Sequence, residues 1–364
     1  MRRGLGNGLL LGGSLLVALS LAELAVRALP EAMLGFRFER GRFRLPREFA
    51  ADPIRNELGF HDVSPAVRRP GARRVLLLGD SYVEGYSVPI PETLGRRLEH
   101  YLDGMEAGRY QVVAIGRSGW GQREQLRALR RHGAALRPDL VLTLFLSLND
   151  VEENSDELKQ QVREQLSRGE LMVRPGWLFE SAEAAPFLYA RWSALNRLLS
   201  QRLAMARARR AAPIPVDYLV YARGDRPRWR EAWSRTERLL LETREQAGRL
   251  GAGYAIVSAS TPQGVWGAQD GLRRLLESYP AMRTLHWDLD LPDRRMAKLC
   301  RHHRIPFSAL EPRFRTEQRQ GGRRLHWRYD GHWNAEGNDF AARLLAGFVR
   351  DLDSGARSAT AAPP

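Results

Sequence analysis

RRVLLLGDSY, residues 73–82, carries two arginines into the apolar run Val75–Leu78 and then breaks on Gly79-Asp80-Ser81. Four consecutive apolar residues stopped by turn formers predict a strand buried on both faces, since a half-exposed strand would alternate. Gly79 permits a tight turn after it, and a helix is expected to start within a few residues. The same pattern returns at Gln111–Ile115 and Leu140–Leu146. Between these runs, Thr93–Leu102 and Gln122–Leu136 place apolar residues at helical spacing, the second stopped by Pro138 and Asp139. Further on, strands are expected at Val216–Tyr221 and Tyr254–Ser258, with a charged helix over Arg230–Leu250 between them. A helix at Asp293–His302, a short strand at Ile305–Ser308 and a last helix at Ala335–Leu352 complete the pattern.

Strands alternating with helices predict an α/β fold: a three-layer α/β/α sandwich with a mostly parallel, flavodoxin-like sheet. Residues 151–212 interrupt the alternation. A structureless loop of that length is unusual in a compact domain, so a helical insertion over the strand ends, able to act as a lid, is expected there. The domain plan is then residues 1–29 as an N-terminal segment, 30–72 as a connector packing irregularly on the body, 73–353 as the body with its insertion, and 354–364 as a disordered tail of small and polar residues.

Gly4–Ala22 is a stretch without formal charge behind Arg2 and Arg3. At about 1.5 Å per residue it is just long enough to cross a bilayer, and it reads as a single membrane anchor. A cleaved secretory signal and a buried helix are the alternatives, although Ala18-Leu19-Ser20 only approximates a cleavage site. Arg27, Arg37, Arg40 and Arg42 beyond the segment outnumber Arg2 and Arg3, which favours a cytoplasmic body by the positive-inside count. The layout of a signal-anchor favours the opposite, and the expectation adopted is a single-pass protein of the cell membrane with its body on the periplasmic or extracytoplasmic side.

Lysine and arginine exceed aspartate and glutamate by 57 to 42, a formal charge of +15. That excess suits anionic surroundings such as an acidic polysaccharide or an anionic lipid surface. No nucleic-acid-reading motif accompanies it, so no specific nucleic acid is expected as a partner. One cysteine, Cys300, excludes an intrachain disulfide and a thiolate metal cluster. His302-His303 lacks further ligands at metal spacing, and Gly116-x-x-Gly119 is neither a dinucleotide fingerprint nor a phosphate loop. No cofactor and no metal are expected. His286-Trp287-Asp288 and His326-Trp327 place aromatics that either face a sugar or pack internally around a satisfied imidazole.

In parallel sheets, functional groups gather beyond the carboxyl ends of strands, the position held by Asp80-Ser81, Gly116–Gly119 and Ser147–Asp150. Ser81 is placed to attack a substrate there, while the competing reading makes Asp80 or Ser81 a cap for the next turn. Near the other end, Tyr329-Asp330-Gly331-His332-Trp333-Asn334 holds an imidazole with a carboxylate two residues before it. A serine hydroxyl needs a base, and the base gains from a carboxylate that orients it, so Ser81, His332 and Asp330 are a chemically complete set. Asn334 capping the last helix and His332 bonding backbone is the local alternative. Asp150 is expected to bond its own loop rather than react.

These segments resemble, in order, the four blocks of the SGNH hydrolase superfamily, also called GDSL esterases and lipases: Gly79-Asp80-Ser81, Gly119 in IGRSGWG, Asn149 in LSLNDVEEN and His332 in YDGHWNAEG. The resemblance spans about residues 73–350. It implies Ser81 as nucleophile, His332 as base, and an oxyanion hole from the Ser81 amide, the Gly119 amide and the Asn149 side chain. The chain departs from the pattern where Ser147 replaces a glycine, where Ala114 stands for an asparagine, and where Tyr329 occupies the usual acid position. Asp330 then gives the Asp-x-His arrangement of branches that include polysaccharide O-acetylation proteins. The function this implies is an envelope-associated serine esterase removing O-acyl groups, acetyl foremost, from a glycan, glycolipid or small ester. A polysaccharide O-acetyltransferase and a catalytically silent glycan-binding or assembly protein are the alternatives.

Overall fold

The computed structural model describes residues 2–29, 37–39, 42–44, 48–65, 67–167, 195, 198, 199, 213–328 and 330–360, in two compact units. The smaller unit comprises residues 1–47 and 169–212. Helix α1 (Arg2–Ala28) holds an 18-residue window, Leu11–Ala28, with mean hydropathy 1.6, long and apolar enough to cross a membrane; a signal sequence has the same properties. Leu11, Leu15, Leu16, Leu21 and Leu24 are exposed on it. Glu23 is held at 2.7 Å by Arg27 one turn on, and accepts a hydrogen bond from the Leu195 amide at 2.9 Å. A two-strand antiparallel ribbon pairs residues 37–39 with 42–44.

The larger unit is built on five parallel strands: β1 (Arg73–Gly79), β2 (Tyr110–Gly116), β3 (Leu140–Phe145), β4 (Gly253–Ser258) and β5 (Phe307–Ala309). Their spatial order is β2-β1-β3-β4-β5, the doubly wound order in which the chain reverses direction of growth at β1 and β3. Val75, Leu76, Leu77 and Leu78 are all fully buried, as the continuous apolar run requires for a central strand covered on both faces. Val75, Leu77, Ala114, Leu142 and Val257 turn to one face, where they meet Leu94, Leu98 and Leu102 of helix α2 (Leu94–Met105) and Ala341, Leu345 and Val349 of the last helix. On the opposite face Leu76, Leu78, Val141 and Phe145 are buried, and the Phe145 ring lies 6.0 Å from that of Trp233. This side is covered by α3 (Gln122–Leu136), α5 (Pro227–Arg249) and α7 (Leu291–His302). Helix α4 (Asp156–Ser167) and helix α6 (Gly267–Ser278) follow β3 and β4, and α8 (Glu311–Gly321) follows β5. The three-layer α/β arrangement is the one expected from the sequence.

Two expectations need correction. Val216–Tyr221 is not a strand: Asp217–Tyr221 is a 3-10 helix, started by the Asp217 carboxylate accepting from the Tyr218 amide at 3.0 Å. β3 pairs directly with both β1 and β4, so the sheet has no vacant edge between them for this apolar run, which buries Tyr218, Val220 and Tyr221 by packing instead. The last helix, α9 (Ala335–Thr360), runs beyond Leu352, so the tail is helical as far as Thr360; alanine and arginine continue a helix well and the first proline comes only at Pro363. Residues 361–364 lie outside the described residues, as does most of the insertion expected at 151–212 beyond α4, and with it the lid.

Candidate active site

β1 ends directly before Asp80-Ser81, the segment in which the nucleophile is expected. At Gly79 a side chain would run into Val83, whose turn folds back onto the strand end, so it is this close approach that requires glycine. Asp80 then caps the short helix Ser81–Glu84, its Oδ1 accepting from the Tyr82 amide at 2.9 Å. Ser81, as the first helical residue, has an amide with no intrahelical acceptor by position. The capping role in this triplet falls to Asp80, which leaves the Ser81 side chain available for the role the resemblance implies.

His332 arrives from the loop before α9. Its Nε2 lies 2.8 Å from Ser81 Oγ, across 251 residues of sequence, and its Nδ1 lies 2.5 Å from Asp330 Oδ1. Nδ1–H donating to the carboxylate leaves Nε2 to accept the serine proton, the tautomer a general base needs. Burial raises the Asp330 pKa, but the His332 ring, the His332 amide at 3.2 Å and the Tyr86 hydroxyl at 3.2 Å outweigh it and hold the carboxyl below its ordinary value. Asn334 caps α9 as well, its Oδ1 accepting from the Gly337 amide at 2.8 Å.

The other two residues named from the sequence sit on neighbouring loops. β1 and β2 are in register at Gly79 and Gly116, and β1 and β3 at Leu78 and Thr143, so their following loops adjoin. Asn149 Nδ2 donates to Asp80 Oδ2 at 3.1 Å, one residue from the nucleophile, and its second N–H has no acceptor among the described residues. Asp80 is fully buried, and burial raises its pKa. Gly119 adopts φ +75°, a left-handed conformation that suits glycine, in the loop after β2. Asp150 accepts from the Leu146 amide and from Gln122, each at 2.8 Å, and so serves its loop. The structure therefore joins Ser81, His332 and Asp330 by direct bonds, ties Asn149 to them through Asp80, and leaves Gly119 on the adjoining loop. Tyr329 lies outside the described residues.

Four supporting residues escaped the sequence reading. Tyr86 touches both Asp330 and His332, its hydroxyl 3.4 Å from Nδ1. The Tyr82 hydroxyl donates to the Gly331 carbonyl at 3.1 Å, and its ring lies 5.1 Å from that of His332. Glu84 accepts from the Ser118 amide at 2.8 Å and from Arg55 at 3.0 Å, fastening the Gly119 loop to the nucleophile helix. Glu48 accepts from the backbone amides of Arg328 at 2.6 Å and Asp330 at 3.1 Å. Only Tyr82 and Tyr86 left a trace in sequence, as aromatics one helical turn apart directly after Ser81. A shallow cavity of about 300 Å³ opens beside this site, lined by Tyr86, Ser118, Arg55, Arg117 and Pro53 among others.

Scanned against protein-family models and curated proteins, the chain matches none. Solved structures similar to it include an acetyl xylan esterase, AlAXEase, at 10% identity and TM-score 0.40, covering 77% of this chain and 98% of that one. A catalytic mutant of Axe2, an acetylxylan esterase from Geobacillus stearothermophilus, is similar at 15% identity and TM-score 0.41, covering 78% and 96%. A lipolytic protein of the G-D-S-L family from Desulfitobacterium hafniense, described as putative, is similar at 8% and 0.38, covering 76% and 98%. Among the described residues no group of three or more histidine, cysteine or acidic side chains is placed to hold a metal ion.

Proposed function

We propose that this protein is a membrane-anchored serine esterase that removes small O-acyl groups, acetyl foremost, from a glycan or glycolipid. The observation that carries the reading is the Ser81–His332–Asp330 relay, with 2.8 and 2.5 Å links in the order nucleophilic acyl transfer needs. Ser81 Oγ attacks the ester carbonyl carbon while its proton passes to His332 Nε2. The oxyanion that forms is met by the Ser81 and Gly119 amides and the free N–H of Asn149. Collapse breaks the acyl C–O bond, and His332 returns the proton to the leaving sugar hydroxyl. Water then attacks the acyl-serine, giving up a proton to His332, and the carboxylic acid leaves as Ser81 is restored.

Treating the full-length protein in detergent with a fluorophosphonate should add one label, mapped to Ser81 and lost in Ser81→Ala, with acetate released from acetylated oligosaccharides in parallel. An unlabelled Ser81 in folded protein overturns the esterase reading; acetyl label moving to an added glycan instead of to water identifies a transferase. The anchor is supported by the apolar, exposed face of α1. It is tested by retention in carbonate-washed membranes, and its sidedness by protease digestion of the body in spheroplasts.

A further inference from the structure

Beside the catalytic loop lies a groove of about 500 Å³ whose lining contains four arginines, Arg274, Arg323, Arg324 and Arg328, two tryptophans, Trp266 and Trp327, and no carboxylate. Its position is set by two links to the triad. Trp327 and Arg328 belong to the segment that leads directly into Asp330 and His332, and Pro262, which also lines the groove, stands 3.4 Å from where a Cβ on Gly331 would lie. Gly331 is the residue between the acid and the base of the relay.

Two of these arginines, Arg323 and Arg324, differ from those of the molecule's other basic cavity. A second basic cavity, of about 470 Å³ between the starts of α5 and α7, holds five arginines, but Asp288 pairs with Arg223 and Arg294, and Asp225 with Arg230. In the groove by the triad, Arg323 and Arg324 have no carboxylate partner among the described residues. The aromatic part is equally specific. Trp266 is 38% exposed, high for an indole, and the Arg274 guanidinium lies 3.6 Å from its ring centroid. An indole face offers a platform for the apolar face of a sugar ring, and guanidinium groups bind carboxylates through paired donors. A neutral acyl-glycan needs the first and has no use for the second.

We propose that this groove is a binding subsite for the anionic residues of an O-acylated acidic polysaccharide, holding uronate-type carboxylates while a neighbouring O-acyl group reaches Ser81. The inference deepens the esterase reading and rests on it for the identity of the reaction, though not for binding. Electrostatic capture in such a groove also predicts a strong salt dependence of substrate affinity.

The test uses the full chain in detergent, in two arms. In the first, Ser81→Ala protein is titrated calorimetrically with oligogalacturonate and with a neutral xylo-oligosaccharide of equal length. The acidic ligand should bind at least tenfold tighter at low salt, and the double variant Arg323→Gln/Arg324→Gln should lose that preference. In the second arm, otherwise wild-type protein carrying the double variant should lose at least tenfold more kcat/KM on acetylated oligogalacturonate than on p-nitrophenyl acetate. Equal affinity for the acidic and neutral oligosaccharides, or a preference that survives the double variant, overturns the proposal. So does tight binding confined to phosphatidylglycerol vesicles or to single-stranded DNA, which would make the groove a lipid or nucleic-acid surface. If wild-type protein fails to turn over p-nitrophenyl acetate while the first arm succeeds, the esterase reading falls and the anionic-glycan site stands.

Discussion

Replacing Asp330 separates two jobs that the carboxylate does at once. Its Oδ1 takes both the His332 amide at 3.2 Å and the His332 ring at 2.5 Å, while Oδ2 takes the Tyr86 hydroxyl. In Asp330→Asn the amide oxygen can keep both bonds to His332, so the useful tautomer survives and only the negative charge opposite the forming imidazolium is lost. For unit charges about 4 Å apart at an effective dielectric near 20, that interaction is worth about 4 kcal/mol. The pair is partly solvated, with side chains about one-fifth exposed, which brings the expected loss to about 3 kcal/mol. A kcat reduced about 10²-fold follows. Asp330→Ala removes the orienting bond as well and should fall further, to about 10³- to 10⁴-fold, as loss of a triad acid does when the base is left misdirected. Neither change should unfold the loop, because the Glu48 carboxylate holds the backbone amides of residues 328 and 330, which both variants retain. The assay is steady-state hydrolysis of p-nitrophenyl acetate at equal folded fraction by circular dichroism, with His332→Ala as reference. If Asp330→Ala stays within threefold of wild type while His332→Ala is inactive, Asp330 is not the orienting acid and the relay ends at the histidine.

Asn149→Ala should lower kcat by about 10²- to 10³-fold with little change in KM, since the lost donor acts on the oxyanion rather than the bound ester; a change confined to KM contradicts that role. Gly79→Ala should destabilise the body by about 1–3 kcal/mol in chemical denaturation and abolish fluorophosphonate labelling, because its methyl displaces Val83 and the nucleophile turn with it; a native midpoint and normal labelling refute the close-packing argument. Glu311 is buried against Thr261 and Arg315, and burial raises its carboxyl to about 8. A carboxyl raised on folding contributes stability that is present below its unfolded value, about 4.3, and lost as the pH climbs through 8. Thermal midpoints should therefore fall between about pH 4.5 and 8 in wild type, level off above that, and fall less in Glu311→Gln, and parallel curves for the two proteins would dismiss the assignment.

The parts of this structure legible in the sequence are those decided by local pattern. β1, β2 and β3 lie within two residues of the apolar runs at Val75–Leu78, Gln111–Ile115 and Leu140–Leu146, because a central strand covered on both faces must be apolar without interruption. Gln122–Leu136 is a helix with the limits its apolar spacing and Pro138 imply. Ser81, Asp330 and His332 could be named because each sits in a turn with its chemistry exposed in the residue types. Val216–Tyr221 could not be read correctly, since its composition suits a strand and only the direct pairing of β3 with β4 denies it a place. Helices Gly267–Ser278 and Glu311–Gly321 passed unnoticed, the first opening on glycine and the second dense in arginine and glutamine with few apolar positions. Glu48 was unreadable for a different reason: it holds two backbone amides 280 and 282 residues away, and backbone groups leave no mark on composition.

That last contact sets a limit on how far the chain can be trimmed from its N-terminal side. A protease cutting before Glu48 leaves a body that still carries the carboxylate bracing the loop of Asp330 and His332. One cutting between Asp62 and Arg73 leaves all five strands of the parallel sheet and all three relay residues in place, yet frees the loop at Asp330 and removes Asp62, whose buried carboxylate pairs with Arg96 at 2.7 Å and takes the Ala114 amide at 2.9 Å. The two trimmed forms would differ by a couple of dozen residues and have nearly the same mass. Only the longer one keeps the Glu48 brace on the loop that carries Asp330 and His332, so the cleavage point decides whether that loop stays fixed.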